Sequence, residues 1–217
     1  MALRLLIVAA TGGLGSNLVK EALSRGHSVS VCIRDHRKLA DQLGADISRL
    51  ASINIGSADD KDFIKTSMEG IDVVLSASPA SPGIAKVLAD TVLTSGARKL
   101  VWVAGASNML EEDGVTLHHL KFGPTGVGYY NAHAPCIEAI KQSGANFVVF
   151  CPGLMKPAGS KSPTPPEIFT RCKPGQVDFV SYEDAAWAMI QVAETDTFDG
   201  QLCEAITDKT TMSSSEL

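Results

Sequence analysis

LIVAATGGLGSNLV, residues 6–19, is the stretch whose reading decides the fold. An apolar run ends in a glycine-rich turn, and the turn opens an amphipathic helix. Leu3–Ala9 reads as a fully buried strand. Leu14, Leu18, Val19, Ala22 and Leu23 follow at helical spacing and stop near Gly26. Glycine at positions 12 and 15 lets the backbone turn tightly and lets a pyrophosphate approach the helix N-terminus. No Gly-Lys-Ser/Thr follows, so this is not a Walker loop. Glycine-rich turns also join strands to helices for purely structural reasons. This one follows the first strand and begins a run of βα units. That position points to a dinucleotide site formed by Ala9, Thr11, Gly12, Gly13, Leu14 and Gly15.

Working outward, short apolar runs alternate with helical patterns. Strands are expected at Ser28–Ile33, Leu50–Ile55, Ile71–Ala77, Lys99–Ala104 and Phe147–Cys151. Helices are expected at Lys38–Leu43, after a cap at Asp59 or Asp60, through Ile84, Leu88 and Val92, at Ala132–Ser143, and at Tyr182–Ala193. Gln201–Ile206 suggests one more small strand. This alternation predicts an α/β doubly wound parallel sheet, the Rossmann fold, with helices on both faces. One domain over residues 1–207 is expected, with residues 151–207 a substrate-side elaboration and 208–217 a flexible tail. Asn108–Tyr130 and Pro152–Gln176 break the rhythm. Both follow a strand and should leave the carboxyl edge of the sheet, where ligands bind.

Composition narrows the function classes. The 217 residues are 45% hydrophobic and 20% charged, a globular rather than disordered profile. Aromatics at 6% disfavour a ligand site walled by rings, and a net charge of −5 disfavours a dedicated nucleic-acid binder. Cys32, Cys136, Cys151, Cys172 and Cys203 show no metal or redox spacing and read as inert thiols in a reducing compartment. The N-terminal apolar run is too short to span a membrane and leads into the glycine turn rather than a cleavage site. Ser215-Glu216-Leu217 matches a peroxisomal ending only superficially, because an acid stands where a basic residue belongs. The expected location is cytoplasmic, with no membrane or nucleic-acid partner.

The second strand ends in Arg34, with Arg37 and Lys38 close behind. Guanidinium groups here suit the 2′-phosphate of NADP(H). Asp35 offers the alternative of holding the ribose hydroxyls of NAD(H), and the group also reads as an ordinary solvated charge cluster. His118 and His119 are adjacent and cannot share one face as metal ligands, so they read as loop residues. No carboxylate cluster has metal spacing, and no metal is expected.

Ala9-Ala10-Thr11-Gly12-Gly13-Leu14-Gly15 resembles the G-x-x-G-x-x-G fingerprint of the atypical and extended short-chain dehydrogenase/reductase families. Ala9 replaces the first glycine, a change that keeps the close approach provided the position does not need positive φ. YYNAHAPCIEAIKQSGANFVVFCPG, residues 129–153, resembles the helix and sixth strand of the NAD(P)H-binding, NmrA-like and biliverdin reductase B/flavin reductase group, through His133, Ser143-Gly144, Phe147 and Pro152. Phe179–Ala185 resembles that group's I-S-x-E-D-V-A. The resemblance runs from Leu3 to Ile206. It implies cofactor contacts at Asn54-Ile55, where the family often has Gly-Asp, at Ala77 and Ser78, and at Pro152 and Gly153.

It also implies that Ser107, the serine after the fifth strand, hydrogen-bonds a substrate carbonyl; alone it reads as a turn serine. The usual Tyr-x-x-x-Lys pair is incomplete. Tyr129 and Tyr130 are present, but His133 and Ala134 stand four residues later. His133 would sit near the nicotinamide, orienting the ribose or donating a proton, unless it is a structural histidine. The resulting expectation is an NADP(H)-dependent oxidoreductase passing hydride to a small carbonyl, quinone or flavin-like acceptor. Ser107 would polarise the acceptor, and His133, Tyr129, Tyr130 or solvent would supply the proton. One alternative is a non-catalytic NADP-binding redox sensor that reports to a protein partner. Another is an epimerase or dehydratase that retains its cofactor. A monomer or a homodimer is expected.

Overall fold

Successive side chains leave a strand on opposite faces, so an unbroken apolar run needs cover on both. The computed structural model, which describes residues 1–172 and 179–207, shows that cover. Strand β1 (Arg4–Val8) sends Leu5 and Ile7 into one core and Leu6 and Val8 into the other. The first core also holds Leu18 and Val19 of α1 (Gly13–Ser24) and Met189 of a later helix. The second holds Ile64 of α3 (Lys61–Ser67), Leu88 and Val92 of α4 (Pro82–Ser95), and Ile137 and Ile140 of α5 (Gly123–Ser143).

The remaining strands of the central sheet are β2 (Ser28–Ile33), β3 (Ser52–Ile55), β4 (Val73–Ser76), β5 (Lys99–Val103) and β6 (Phe147–Phe150). The helix between β2 and β3 is α2 (His36–Leu43). Beyond β6 come β7 (Leu154–Lys156), β8 (Ile168–Phe169), β9 (Phe179–Ser181), α6 (Tyr182–Glu194) and β10 (Leu202–Ala205). The sheet order is β3-β2-β1-β4-β5-β6-β10-β8. Every pairing is parallel except that of β8 with β10. The chain winds from β1 out to β3, then crosses back to β4 on the other side of β1. The crevice beyond the carboxyl ends of β1 and β4 is the switch point where such sheets bind ligands.

The sheet is wider than the six strands expected through Cys151, because β10 and β8 extend it past β6. Strands β7 and β9 form a separate parallel pair within the substrate-side segment. Helix α5 also begins at Gly123 rather than Ala132. Its first turns, GPTGVG, hold poor helix formers with no apolar period, and tertiary packing overrides that weakness. A Cβ on Gly126 would lie 2.3 Å from the His119 carbonyl oxygen, so glycine lets the helix press against the preceding segment.

That segment is ordered by a hairpin in which Leu110 bridges Leu117 in antiparallel sense. At its tip the Asp113 carboxylate accepts the Val115 and Thr116 N–H groups at 2.8 Å each and the Thr116 hydroxyl at 2.6 Å. All five cysteines are buried, and among the described residues none forms a disulfide. Among the described residues, no helix is long and apolar enough to cross a membrane. The tail expected at 208–217, and part of the Pro152–Gln176 stretch, lie outside the described residues.

Candidate cofactor and substrate site

The turn after β1 gives its glycines different tasks. Gly12 is the N-cap of α1, with no side chain capping that end and no acid in the first helical turn. A Cβ added there would meet only the Ala9 carbonyl oxygen, at 3.9 Å. The helix start is therefore open to an anion, and its N–H groups and dipole favour one. Gly15 is a packing residue, since its Cβ would lie 2.2 Å from the Ala9 oxygen and 2.9 Å from Ala10 Cα. Gly13 lies under the Tyr182 ring, where a Cβ would come within 2.7 Å. The Leu14 side chain belongs to the core, so only its backbone can serve a phosphate.

Ala9 corrects an expectation. Its φ is +63°, and among the described residues it is the one non-glycine residue with positive φ. The family's glycine position keeps its left-handed conformation here although the residue is alanine. The Ala9 carbonyl accepts Gly12 N–H at 3.4 Å, and its N–H donates to Cys32 at 3.0 Å, which hold the turn in place.

At the end of β2, Arg34, Arg37 and Lys38 are all exposed. Among the described residues, no carboxylate pairs with them within salt-bridge distance. Asp35 is engaged as the N-cap of α2, accepting Arg37 and Lys38 N–H at 2.9 and 3.3 Å. The Asn54 amide donates to the Val31 carbonyl and the Ser52 hydroxyl, so its donors hold the sheet edge together. Ile55 is 57% exposed at the carboxyl end of the edge strand β3. Ala77 is half-buried at the end of β4. Ser78 is buried, and the Ser76 hydroxyl donates to its hydroxyl at 3.0 Å.

A cavity of about 370 Å³ opens at the carboxyl ends of β5 and β6. Ser107, Tyr129, His133, Pro152 and Gly153 all line it. A Cβ on Gly105 would lie 3.4 Å from His133 Cδ2 and 3.6 Å from both His133 Nε2 and the Ser107 hydroxyl. The imidazole and the hydroxyl thus converge over the Gly105 backbone. Ala106 N–H donates to the Pro152 carbonyl at 2.9 Å and ties the two strand ends together. Burial pushes the His133 ring below its ordinary pKa, and its buried Nδ1 has no hydrogen-bond partner among the described residues. Tyr129 is 63% exposed and stands at the mouth.

Tyr130 is not in this cavity. Adjacent residues on a helix point about 100° apart, so only one of the pair faces it. Tyr130 packs on His119 with ring centroids 4.3 Å apart and lines a different cavity of about 590 Å³ with Asn108 and Arg171. It is removed from the candidate catalytic residues.

The sequence reading also missed a residue. His118, read as a loop histidine, is 3% exposed and lines the same cavity as Ser107 and His133. Its Nδ1 lies 2.6 Å from Glu111 Oε1, and Lys121 Nζ donates to Glu111 Oε2 at 2.5 Å. Burial works to raise the Glu111 carboxyl, but the bonds from Lys121 and His118 outweigh it and hold it below the ordinary carboxylate range. The Asp113-Gly114 pair between Leu110 and Leu117 was the available signal, since such a dipeptide marks a hairpin. With Leu110 opposite Leu117, residue 118 faces 109, and 111 lies two along on the same face.

A family model described as NAD(P)H-binding matches residues 9–196. No match was found among curated proteins. Among solved structures, a protein from Burkholderia pseudomallei described as exported is 22% identical, with a TM-score of 0.76 over 94% of this chain and 99% of its own. A proposed NADH-flavin reductase from Streptococcus pneumoniae TIGR4 is 19% identical, with a TM-score of 0.75 over 95% and 100%. A short-chain dehydrogenase/reductase from Veillonella parvula DSM 2008, solved with NADP, is 14% identical, with a TM-score of 0.75 over 98% of each chain. At these identities the solved structures establish a shared fold.

Proposed function

The chain belongs to the NAD(P)H-binding family, and from that premise we propose that it is an NADP(H)-dependent oxidoreductase reducing a small carbonyl, quinone or flavin-like acceptor. One observation carries the reading. The cavity that holds Ser107 and His133 lies at the carboxyl ends of β5 and β6, on the same sheet edge as the open turn at Gly12. The residues present fit the dinucleotide. The uncapped start of α1 suits its pyrophosphate. Arg34, Arg37 and Lys38 suit a 2′-phosphate, and the engagement of Asp35 as a helix cap supports NADP(H) over NAD(H).

The bound dihydronicotinamide supplies the hydride. The chain positions and polarises. Ser107 donates a hydrogen bond to the acceptor oxygen and stabilises the charge that develops there. His133, desolvated and neutral, orients the nicotinamide ribose. The mostly apolar cavity excludes water from the reacting atoms. Five buried cysteines with no disulfide among the described residues support a cytoplasmic location.

His133 and Ala134 stand where a Tyr-x-x-x-Lys pair has lysine, and this favours one second reading, a redox sensor that binds NADP(H) and signals to a protein partner. Steady-state NADPH oxidation against flavins, quinones and aldehydes decides between them. Turnover with at least one class is the expected result. Tight NADPH binding with no turnover across the panel overturns the enzyme reading in favour of the sensor.

A further inference from the structure

A fold needs glycine where φ is positive or where a side chain would collide. Gly105, which lines the substrate cavity at the end of β5, meets neither condition. Its φ and ψ are −149° and 149°, extended backbone that any residue adopts. A Cβ there would lie 3.4 Å from His133 Cδ2 and 3.6 Å from His133 Nε2 and the Ser107 hydroxyl oxygen, all ordinary contact distances. The fold leaves room for a methyl group at this point, and the sequence does not use it.

The backbone around this space is fixed. Ala104 N–H donates to the Phe150 carbonyl at 2.7 Å, Ala106 N–H to the Pro152 carbonyl at 2.9 Å, and Asn108 N–H to the Gly105 carbonyl at 3.0 Å. The two walls differ in kind. His133 presents the edge of its ring. The Ser107 hydroxyl is loosely held: among the described residues it donates to Asn108 Oδ1 alone, at 3.5 Å, longer than the usual O–H···O bond. It can turn to a ligand oxygen at little cost. Phe122, Tyr129 and Leu154 stand more than half exposed at the cavity, an apolar rim for a ring that carries a carbonyl.

We propose that Gly105 is a specificity-determining residue, and that the room left by its missing side chain seats the acceptor's carbonyl oxygen against the Ser107 hydroxyl. The inference rests on the oxidoreductase reading above and deepens it. The seat is no wider than a methyl group, so it takes an oxygen that stands clear of its neighbours. Aldehydes and the ring carbonyls of quinones and flavins present such an oxygen. A ketone that carries two bulky groups does not, because those groups meet the Gly105 and His133 walls before the oxygen reaches Ser107.

Gly105→Ala fills the seat with the smallest possible change. The unfolding midpoint should stay at or above the wild-type value, because the backbone here suits alanine. KM for benzaldehyde should rise about tenfold, the upper end for one lost hydrogen bond. NADPH affinity in titration calorimetry should be kept. A second arm needs no turnover. In the wild type with NADP⁺ bound, benzaldehyde should shift the Gly105 α-proton resonances, and benzophenone, with a second ring on its carbonyl, should leave them in place.

An unchanged KM for benzaldehyde in Gly105→Ala overturns the seat and leaves the oxidoreductase reading standing. A loss that falls on NADPH instead gives the space to the cofactor and overturns the seat as well. If Gly105→Ala does not fold, the wild-type resonances decide, and their failure to move with benzaldehyde overturns the seat. Benzophenone moving them as far as benzaldehyde overturns the specificity. Resonances that move as expected in a protein that oxidises NADPH with no acceptor support the seat and sink the oxidoreductase reading.

Discussion

Replacing Ala9 by glycine should make the protein more stable, an unusual outcome for a glycine substitution. The reason is the backbone at this residue, whose φ of +63° lies in the left-handed region. There the Cβ of an L residue crowds the following carbonyl oxygen, at a cost of about 1–2 kcal/mol. Glycine has no such cost, but it adds freedom to the unfolded chain worth about 0.4–1 kcal/mol. The difference of the central values leaves a net gain of about 0.8 kcal/mol. For a chain of this length that raises Tm by about 1–4 °C. Urea unfolding of the cofactor-free protein should show a higher midpoint with an unchanged slope. Ala10→Gly is the control. Ala10 is fully buried with ordinary φ, so the same change there should lower the midpoint. Ala9→Gly that is no more stable than wild type refutes the claim that the turn carries strain at this residue.

The other predictions concern the same site. Gly15→Ala should cost about 1–3 kcal/mol in unfolding experiments, because its Cβ would lie 2.2 Å from a backbone oxygen. Gly12→Ala, in open space but at the N-cap, should cost clearly less than Gly15→Ala and weaken NADPH in titration calorimetry; equal destabilisation by the two changes counts against the division of tasks. Arg34→Ala should weaken NADPH at least about tenfold, the loss of a charge-assisted hydrogen bond, and leave NADH nearly unaffected. Equal losses for the two cofactors sink the 2′-phosphate assignment. At the hairpin, the Thr116 hydroxyl and the Val115 and Thr116 N–H groups hold the Asp113 carboxyl down at about 2. Its folded pKa lies below the ordinary aspartate value of about 3.9, so its contribution to the turn is present above about pH 4 and lost as pH falls through about 2. The Val115 and Thr116 amide resonances should shift with that midpoint, and a step near pH 4 would contradict the geometry.

What could be read from the sequence follows from how local each signal is. The first strand, turn and helix were legible because the unbroken apolar run Leu5–Val8 and the helical spacing of Leu14–Leu23 flank a glycine turn. Asp60 and Gly144 mark helix ends as their chemistry predicts. The first turns of α5 were not legible, because Gly123–Gly128 form a helix only through contact with the His119 segment. The two-residue β8 is defined by pairing with β10, a partner more than thirty residues away, and two residues carry no period of their own. At the site, Ser107 and His133 were found by motif, but motif alone does not say which of Tyr129 and Tyr130 faces the cavity. The helix phase decides that, and it depends on where α5 begins. His118 was missed because its meaning lies in Glu111, and the two meet only once the Asp113-Gly114 hairpin is recognised. Ala9 shows the opposite case, a residue identity that argued against a backbone conformation which the fold imposes.

The central claim is hydride transfer from NADPH to an acceptor bound beside Ser107. Single-turnover oxidation of NADPH carrying deuterium at both C4 positions tests it most directly. The protein loaded with labelled or unlabelled NADPH is mixed rapidly with each acceptor of the panel, and loss of the reduced nicotinamide is followed. The account predicts oxidation that is slower with the labelled cofactor, because the C4–H bond breaks in the measured step. Bound NADPH that stays reduced with every acceptor, or oxidation with no isotope effect in the single turnover, contradicts it.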